Sequence, residues 1–215
     1  MVKITELTRR PAPAVTPQAL ATDGAHLWVS SRDLGTLYKC EAATLKVVEE
    51  IDPPGVVWAA VSTPDGWRFT IGKGLNDDRY GYRYTPETGF AKLFACPEFA
   101  GSYLSFDGSS LYFSQWYKGE IHRVDDAGKI TRTIRVEAEV SGHTFVDGWL
   151  YVLRGTEQNG EHWSMARLDP REKTPVVSDV AAVPFACRSL AFDGEKFWTN
   201  HRAADEVVSF SLPPR

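Results

Sequence analysis

Five cations, Arg32, Lys73, Arg154, Arg188 and Arg202, stand beside short apolar segments at comparable places along this 215-residue chain. Two histidines, His143 and His201, and three aromatics, Trp58, Tyr103 and Trp116, occupy the same kind of position. Guanidinium groups offer planar, two-pronged donors to carboxylate or phosphate. Indole and phenol rings supply flat walls. An imidazole that titrates near neutrality can take or give a proton. Gathered in one place, the set would bind an anionic or polar planar small molecule and move a proton on it. On this reading His143 and Tyr103 are the catalytic candidates. Arg32, Trp58, Lys73, Trp116, Arg154, Arg188, His201 and Arg202 are the ligand-binding ones. The bland alternative is solvation, or pairing with the nearby acids Asp33 and Asp205.

Whether the set gathers depends on the elements that carry it, and those repeat. A small or apolar pair is followed by Asp-Gly and then by an aromatic-rich segment. The copies are Leu20–Gly24 with Leu27–Ser30, Val61–Gly66 with Trp67–Thr70, Leu104–Gly108 with Leu111–Ser114, Thr144–Gly148 with Leu150–Leu153, and Leu190–Gly194 with Phe197–Asn200. The Asp positions are 42, 42, 40 and 46 residues apart. Asp-Gly closes a tight hairpin because both residues tolerate positive φ. Third segments such as Gly119–Val124 and fourth segments such as Ile130–Ile134 complete four strands per unit. Four antiparallel strands per ~40 residues, repeated, are propeller blades. The sequence thus predicts an all-β, five-bladed β-propeller formed by residues 1–215 as one domain. The last unit, ending Ser209–Arg215, lacks a fourth strand, and the segment Val2–Leu7, ahead of Pro11-Ala12-Pro13, is expected to supply it and so remove an open edge.

A propeller places ligands where innermost strands begin and second strands end. Aligned by the repeat, the first position holds Ala19, Ala60, Tyr103, His143 and Ser189, preceded by Gln18, Ala59, Ser102, Gly142 and Arg188. The second-strand ends hold Ser31-Arg32, Gly72-Lys73, Gln115-Trp116, Arg154-Gly155 and His201-Arg202. Framework positions keep their type from unit to unit while these do not, as one asymmetric ligand on a pseudo-symmetric scaffold requires. Gly142 is expected to leave His143 exposed at the axis, with His201 as its partner. Two long loops, around Asp77-Asp78 and Asn159-Gly160, would flank the mouth. His26, His122 and His162 fall in a turn, a third strand and a loop, and are read as incidental.

The wording Asp-Gly-x-x-Leu-Trp-Val-Ser, with its spacing, resembles streptogramin-lyase-like and NHL-repeat-like β-propellers and, more distantly, the glutaminyl cyclase propellers. The resemblance lies in the blade framework across all five units and implies a lyase- or cyclase-like activity only by analogy of fold. The Gly-His and Trp-Asp marks of WD repeats are missing, as are the axial acids of gluconolactonase-like propellers. No family catalytic motif transfers residue by residue.

Charge and composition narrow the partners. With 24 Lys and Arg against 28 Asp and Glu the net charge is −4, which offers no broad basic field for a nucleic acid. No run approaches the ~18 apolar residues of a membrane span, and Cys40, Cys96 and Cys187 are an odd, scattered set without metal-ligand spacing. The charged N-terminus lacks a signal-peptide pattern, so a cytoplasmic protein is expected. No metal site and no cofactor is assigned; the phosphate loops and nucleophile elbows that would name one are absent. Three readings follow. One is a small-molecule enzyme, lyase- or cyclase-like, acting at the axial pocket. Another is a non-catalytic module binding a metabolite or a protein partner on the same face. The third is a metal-dependent hydrolase, for which the rim offers few acids.

Overall fold

The computed structural model describes residues 1–73, 78–157 and 162–214. They form five four-stranded antiparallel sheets. The innermost strands are Pro17–Thr22, Val56–Thr63, Tyr103–Phe106, Glu139–Val146 and Cys187–Phe192. Each packs on the innermost strand of the next blade, and the fifth returns to the first. The ring is a five-bladed β-propeller.

Inner strands are covered on both faces, so they are apolar or small throughout instead of alternating. His26–Ser31, the second strand of blade 1, is buried at five of its six positions, whereas the outer strand Val47–Ile51 is buried only at its end. Five apolar clusters fill the spaces between blades. Between blades 1 and 2, Trp28 meets Trp67 at 4.4 Å and Phe69 at 6.3 Å between ring centroids. Phe69, Phe113 and Phe210 are fully buried in three of these spaces.

In four of the five Asp-Gly turns the aspartate does not take the positive φ expected of it. Only Asp147 takes a positive φ, at 50°. At Asp23, Asp107 and Asp193 the carboxylate itself closes the turn by accepting two backbone N–H bonds, at 2.7–3.0 Å, an Asx-type turn. The free oxygen of Asp193 takes the Trp198 indole N–H at 2.7 Å and that of Asp107 the Tyr112 hydroxyl at 3.0 Å. The repeat therefore couples its turn to its core aromatic. Burial alone would raise the Asp193 carboxyl; the N–H groups of Lys196 and Glu195, the indole and the Lys196 charge hold it below its ordinary range. Asp193→Ala should cost about 1–3 kcal/mol of stability, read as a lower urea midpoint at unchanged m-value. An unchanged midpoint would mean that Gly194, at φ +102°, makes the turn alone.

Thr5–Pro11 pairs antiparallel with Glu206–Ser211 and completes blade 5. The strand starts later and runs further than Val2–Leu7. Lys3 bridges instead to Ala182 on the outer strand of blade 4, and Pro11 is part of the strand because an outermost position needs no N–H from it. Among the described residues no helix is long and apolar enough to cross a membrane.

Candidate functional site

Every innermost strand begins with an irregularity. Register slips between Pro17 and Leu20, Val57 and Ala59, Val140 and Gly142, and Arg188 and Ala191. In blade 3 the N–H groups of Gly101 and Ser102 both reach the Ser114 carbonyl. Such bulges set two residues against one and re-aim side chains. Here they turn Gln18, Trp58, Ser102, Ser141 and Arg188 towards the axis, where all five line one cavity of about 370 Å³. Buried side chains tie several bulges to the neighbouring blade. Ser30 donates to Val57 O at 2.8 Å, Thr70 to Gly101 O at 2.6 Å, and Ser189 to Gln18 O at 2.6 Å. Blades 4 and 5 sit so close at this level that a Cβ on Gly142 would lie 2.6 Å from Ser189 C.

The cup is basic and aromatic. Arg32, Arg79, Arg188 and Arg202 line it with Trp58, Tyr103, Trp116, Tyr117 and Trp163, and Glu157 is its one carboxylate among the described residues. Arg188 is buried, donates to Cys187 O at 2.7 Å, pairs with Glu157 and lies 5.1 Å from the Trp163 ring centroid. Arg79 is buried with its guanidinium 3.9 Å over the Trp58 ring and donates to Ser102 Oγ at 2.8 Å and Gln115 Oε1 at 3.1 Å. Arg32 is held by Asp33 at 3.1 Å. Arg202 donates to Gln18 Oε1 at 2.6 Å. Burial lowers the Arg202 pKa, as do the Arg188 and Arg32 charges, although Tyr103 and Glu157 oppose the shift.

Tyr103 forms the floor, shared between the cup and a void of about 10 Å³ beneath it. Burial raises the Tyr103 phenol, while Arg188 and Arg202 pull it back. The phenol is thus a proton donor at neutral pH. The void is bounded by residues of all five innermost strands, among them His143, and has room for about one water at most.

The structure brings Arg32, Trp58, Tyr103, Trp116, Arg188 and Arg202 together in the cup and places the other four candidates elsewhere. His143 lies below the floor, 1% exposed, because the bulge at Ser141 points that serine into the cup and carries the histidine past it. Its Nδ1 is 2.6 Å from Ser105 Oγ and its Nε2 3.1 Å from Ser114 Oγ. Burial drops its pKa to about 3 against a weaker upward pull from the Tyr103 backbone. Arg154 is taken by Asp179 through two bonds of 2.8 Å and lines an outer groove between blades 3 and 4. His201 turns outward to Glu206, its partner in the strand register, and to Arg9 at 2.9 Å. It is therefore no partner for His143. Lys73 is exposed and outside the cup lining. Asp77, Asn159 and Gly160 lie outside the described residues.

Several cup residues escaped the sequence reading. Gln18, Ser102 and Gln115 stand at the aligned rim positions but are uncharged. Arg79, Glu157 and Trp163 border the two long loops and have no counterpart in the other blades, so the repeat could not point to them.

The fold and site define a class, a five-bladed propeller with a basic, aromatic axial cup. No family model matches the chain, and no curated protein matches it in sequence. Solved structures resemble it in fold. Virginiamycin B lyase from Staphylococcus aureus, as a catalytically inactive variant with quinupristin, aligns with a TM-score of 0.55 at 14% identity over 95% of this chain and 83% of that one. PQQ-bound aldose sugar dehydrogenase from Streptomyces coelicolor aligns with a TM-score of 0.55 at 12% identity over 97% of each chain. Kuenenia stuttgartiensis hydrazine synthase gives a TM-score of 0.58 at 14% identity over 87% of this chain. The present chain spans 62% of that synthase chain. At such identities the likeness is one of fold, in keeping with the framework resemblance of the repeat.

Proposed function

We propose that the axial cup binds an anionic small molecule with a flat body, and that the chain is a lyase- or cyclase-like enzyme acting on it. One observation carries the reading: four arginines and five aromatic side chains converge on one cavity that holds a single carboxylate among the described residues. In such a concave site a fixed excess of positive charge selects anions, and the rings favour flat groups over extended ones. Tyr103, protonated and close enough to Arg188 and Arg202 to feel their charges, is the proposed proton donor to a leaving group or a developing anion. Arg32, Arg188 and Arg202 are proposed to hold the substrate, against the walls of Trp58 and Trp116. Fold neighbours that include a lyase and a sugar dehydrogenase agree with an enzyme without naming the reaction.

The other reading, a module that binds without catalysis, is favoured by one feature. The one histidine at the axis has both ring nitrogens engaged and does not line the cup. A melting-temperature screen against small anions and their uncharged analogues tests the site. A ligand at ~100 times its dissociation constant adds about 2.7 kcal/mol of stability, so anions should raise Tm and neutral analogues should not. Equal shifts for both sets would sink the anion site. Turnover of a hit should fall at least a hundredfold in Tyr103→Phe with its Tm shift preserved. A hit that the wild type binds and leaves unchanged would establish the binding module instead.

A further inference from the structure

The four guanidinium groups of the cup are not equivalent. Arg32 is held by Asp33, Arg188 by Glu157, and Arg79 is buried on Ser102, Gln115 and the Trp58 ring. Arg202 makes one hydrogen bond, from Nη1 to Gln18 Oε1, while its Nε and Nη2 have no hydrogen bond or ion pair to any described residue. Gln18 is itself fixed, 1% exposed, with its amide donating to Trp58 O at 3.3 Å. Gln18 therefore holds the guanidinium by one corner. The opposite edge, the Nε–Nη2 fork, is left unclaimed on a side chain that lines the cavity.

We infer that Arg202, oriented by Gln18, is the anchor for a carboxylate, and that the ligand is a monocarboxylate on an aromatic or conjugated body. The inference rests on the reading of the cup as an anion site and narrows it. Nε and Nη2 lie parallel and coplanar, matching the two oxygens of a carboxylate in one bidentate pair. A phosphate dianion gains most from donors that arrive from several directions. On this wall the other two guanidinium groups, Arg32 and Arg188, already face carboxylates, so the edge offered to a ligand is the planar fork of Arg202. The flat body follows from the remaining wall. Trp58 and Trp163 each have a guanidinium near a ring face. Trp116 is half-buried, carries none among the described residues, and meets the half-exposed Tyr117 edge-on at 5.6 Å. An aromatic acid anchored at Arg202 can rest its ring there, with the Tyr103 phenol below.

Calorimetric titration with benzoate, phenyl phosphate and benzamide separates the possibilities. Benzoate should bind saturably, phenyl phosphate at least tenfold more weakly, and benzamide not measurably. Arg202→Lys keeps the charge and loses the fork, so it should lose at least tenfold in benzoate affinity. Gln18→Leu keeps the charge and frees the guanidinium, so it should lose several-fold. Melting curves of both variants establish that they are folded. Phenyl phosphate binding as tightly as benzoate, or Arg202→Lys matching the wild type, would overturn the carboxylate anchor while leaving the anion site in place. Saturable binding by none of the three, or equal binding by benzamide, would remove both.

Discussion

Deleting residues 1–11 is expected to abolish cooperative folding. Thr5–Pro11 makes six register pairs with Glu206–Ser211. At about 0.5–1.5 kcal/mol net for each backbone hydrogen bond, that ladder is worth several kcal/mol before any packing is counted. The packing is considerable. Ile4 is buried in the cluster between blades 4 and 5, Thr8 Oγ1 lies 2.7 Å from Ser209 Oγ, and Ile4 N donates to Ala182 O at 3.0 Å. The segment therefore fastens blade 5 to blade 4 as well as completing blade 5. A domain's whole stability is about 5–15 kcal/mol, so the loss is comparable to the total. The deleted protein would also present the Glu206–Ser211 edge, with Val207, Val208 and Phe210 behind it, to any passing strand. The expected observations are a broad or absent urea transition and self-association by light scattering. A peptide of residues 1–12 added in trans should restore the transition, since strand addition uses the same backbone bonds. A monomeric deletion variant with the wild-type urea midpoint would show that the ring closes without its clasp.

Much of this was legible in the sequence because a repeat is visible without knowing any distance. Asp23, Asp65, Asp107, Asp147 and Asp193 mark the blades through their spacing, and the missing fourth strand of the last unit points to the N-terminus. The cup was legible as far as strict alternation holds. Arg188 and Trp58 lie on innermost strands, and Arg32, Trp116 and Arg202 end or follow second strands, so aligned positions bring them to one end. Alternation fails at the bulges, which have no residue signature. The slip between Val140 and Gly142 sends Ser141 to the cup and His143 beneath it, and no spacing argument registers one unpaired residue. Arg154 fails for a different reason. Its strand runs two residues further, to Thr156, so Glu157 reaches the cup while Asp179, on the outer strand of the same blade, takes the arginine. Arg79 shows the remaining limit: it comes from a part of blade 2 that the other blades do not share.

Stability should fall steadily as pH drops from 7 to 4, and His143 should account for most of the fall. In the unfolded chain a histidine binds a proton below pH ~6.5. In the folded protein burial lowers the His143 pKa to about 3, so between these values the unfolded state alone carries the proton. Stability is therefore complete above pH ~6.5 and is lost as pH falls towards 3, by about 3–4 kcal/mol at pH 4. His122, whose pKa burial also lowers, adds a contribution of the same sign. The depressed carboxyls of Asp107 and Asp193 act in a separate window, because their stabilisation is lost only as pH falls below ~4. Urea unfolding at pH 7, 5.5 and 4.5 isolates the histidine part, and His143→Gln should flatten that stretch to what His122 supplies. A wild-type profile already flat from pH 7 to 4.5 would mean that His143 is charged or solvated in the folded state. The same physics bears on chemistry in the cup. A base whose conjugate acid has a pKa of about 3 has little driving force to accept a proton at neutral pH, and both nitrogens of this one are occupied by serines. Tyr103 then stays the proposed proton donor of the cup, and His143 fills and bonds the axis beneath it. In that case His143→Gln should shift the stability profile while leaving ligand affinity in the cup within about twofold, a small change on the scale of tenfold per 1.4 kcal/mol. A large loss of affinity at unchanged fold would instead bring the histidine back into the site.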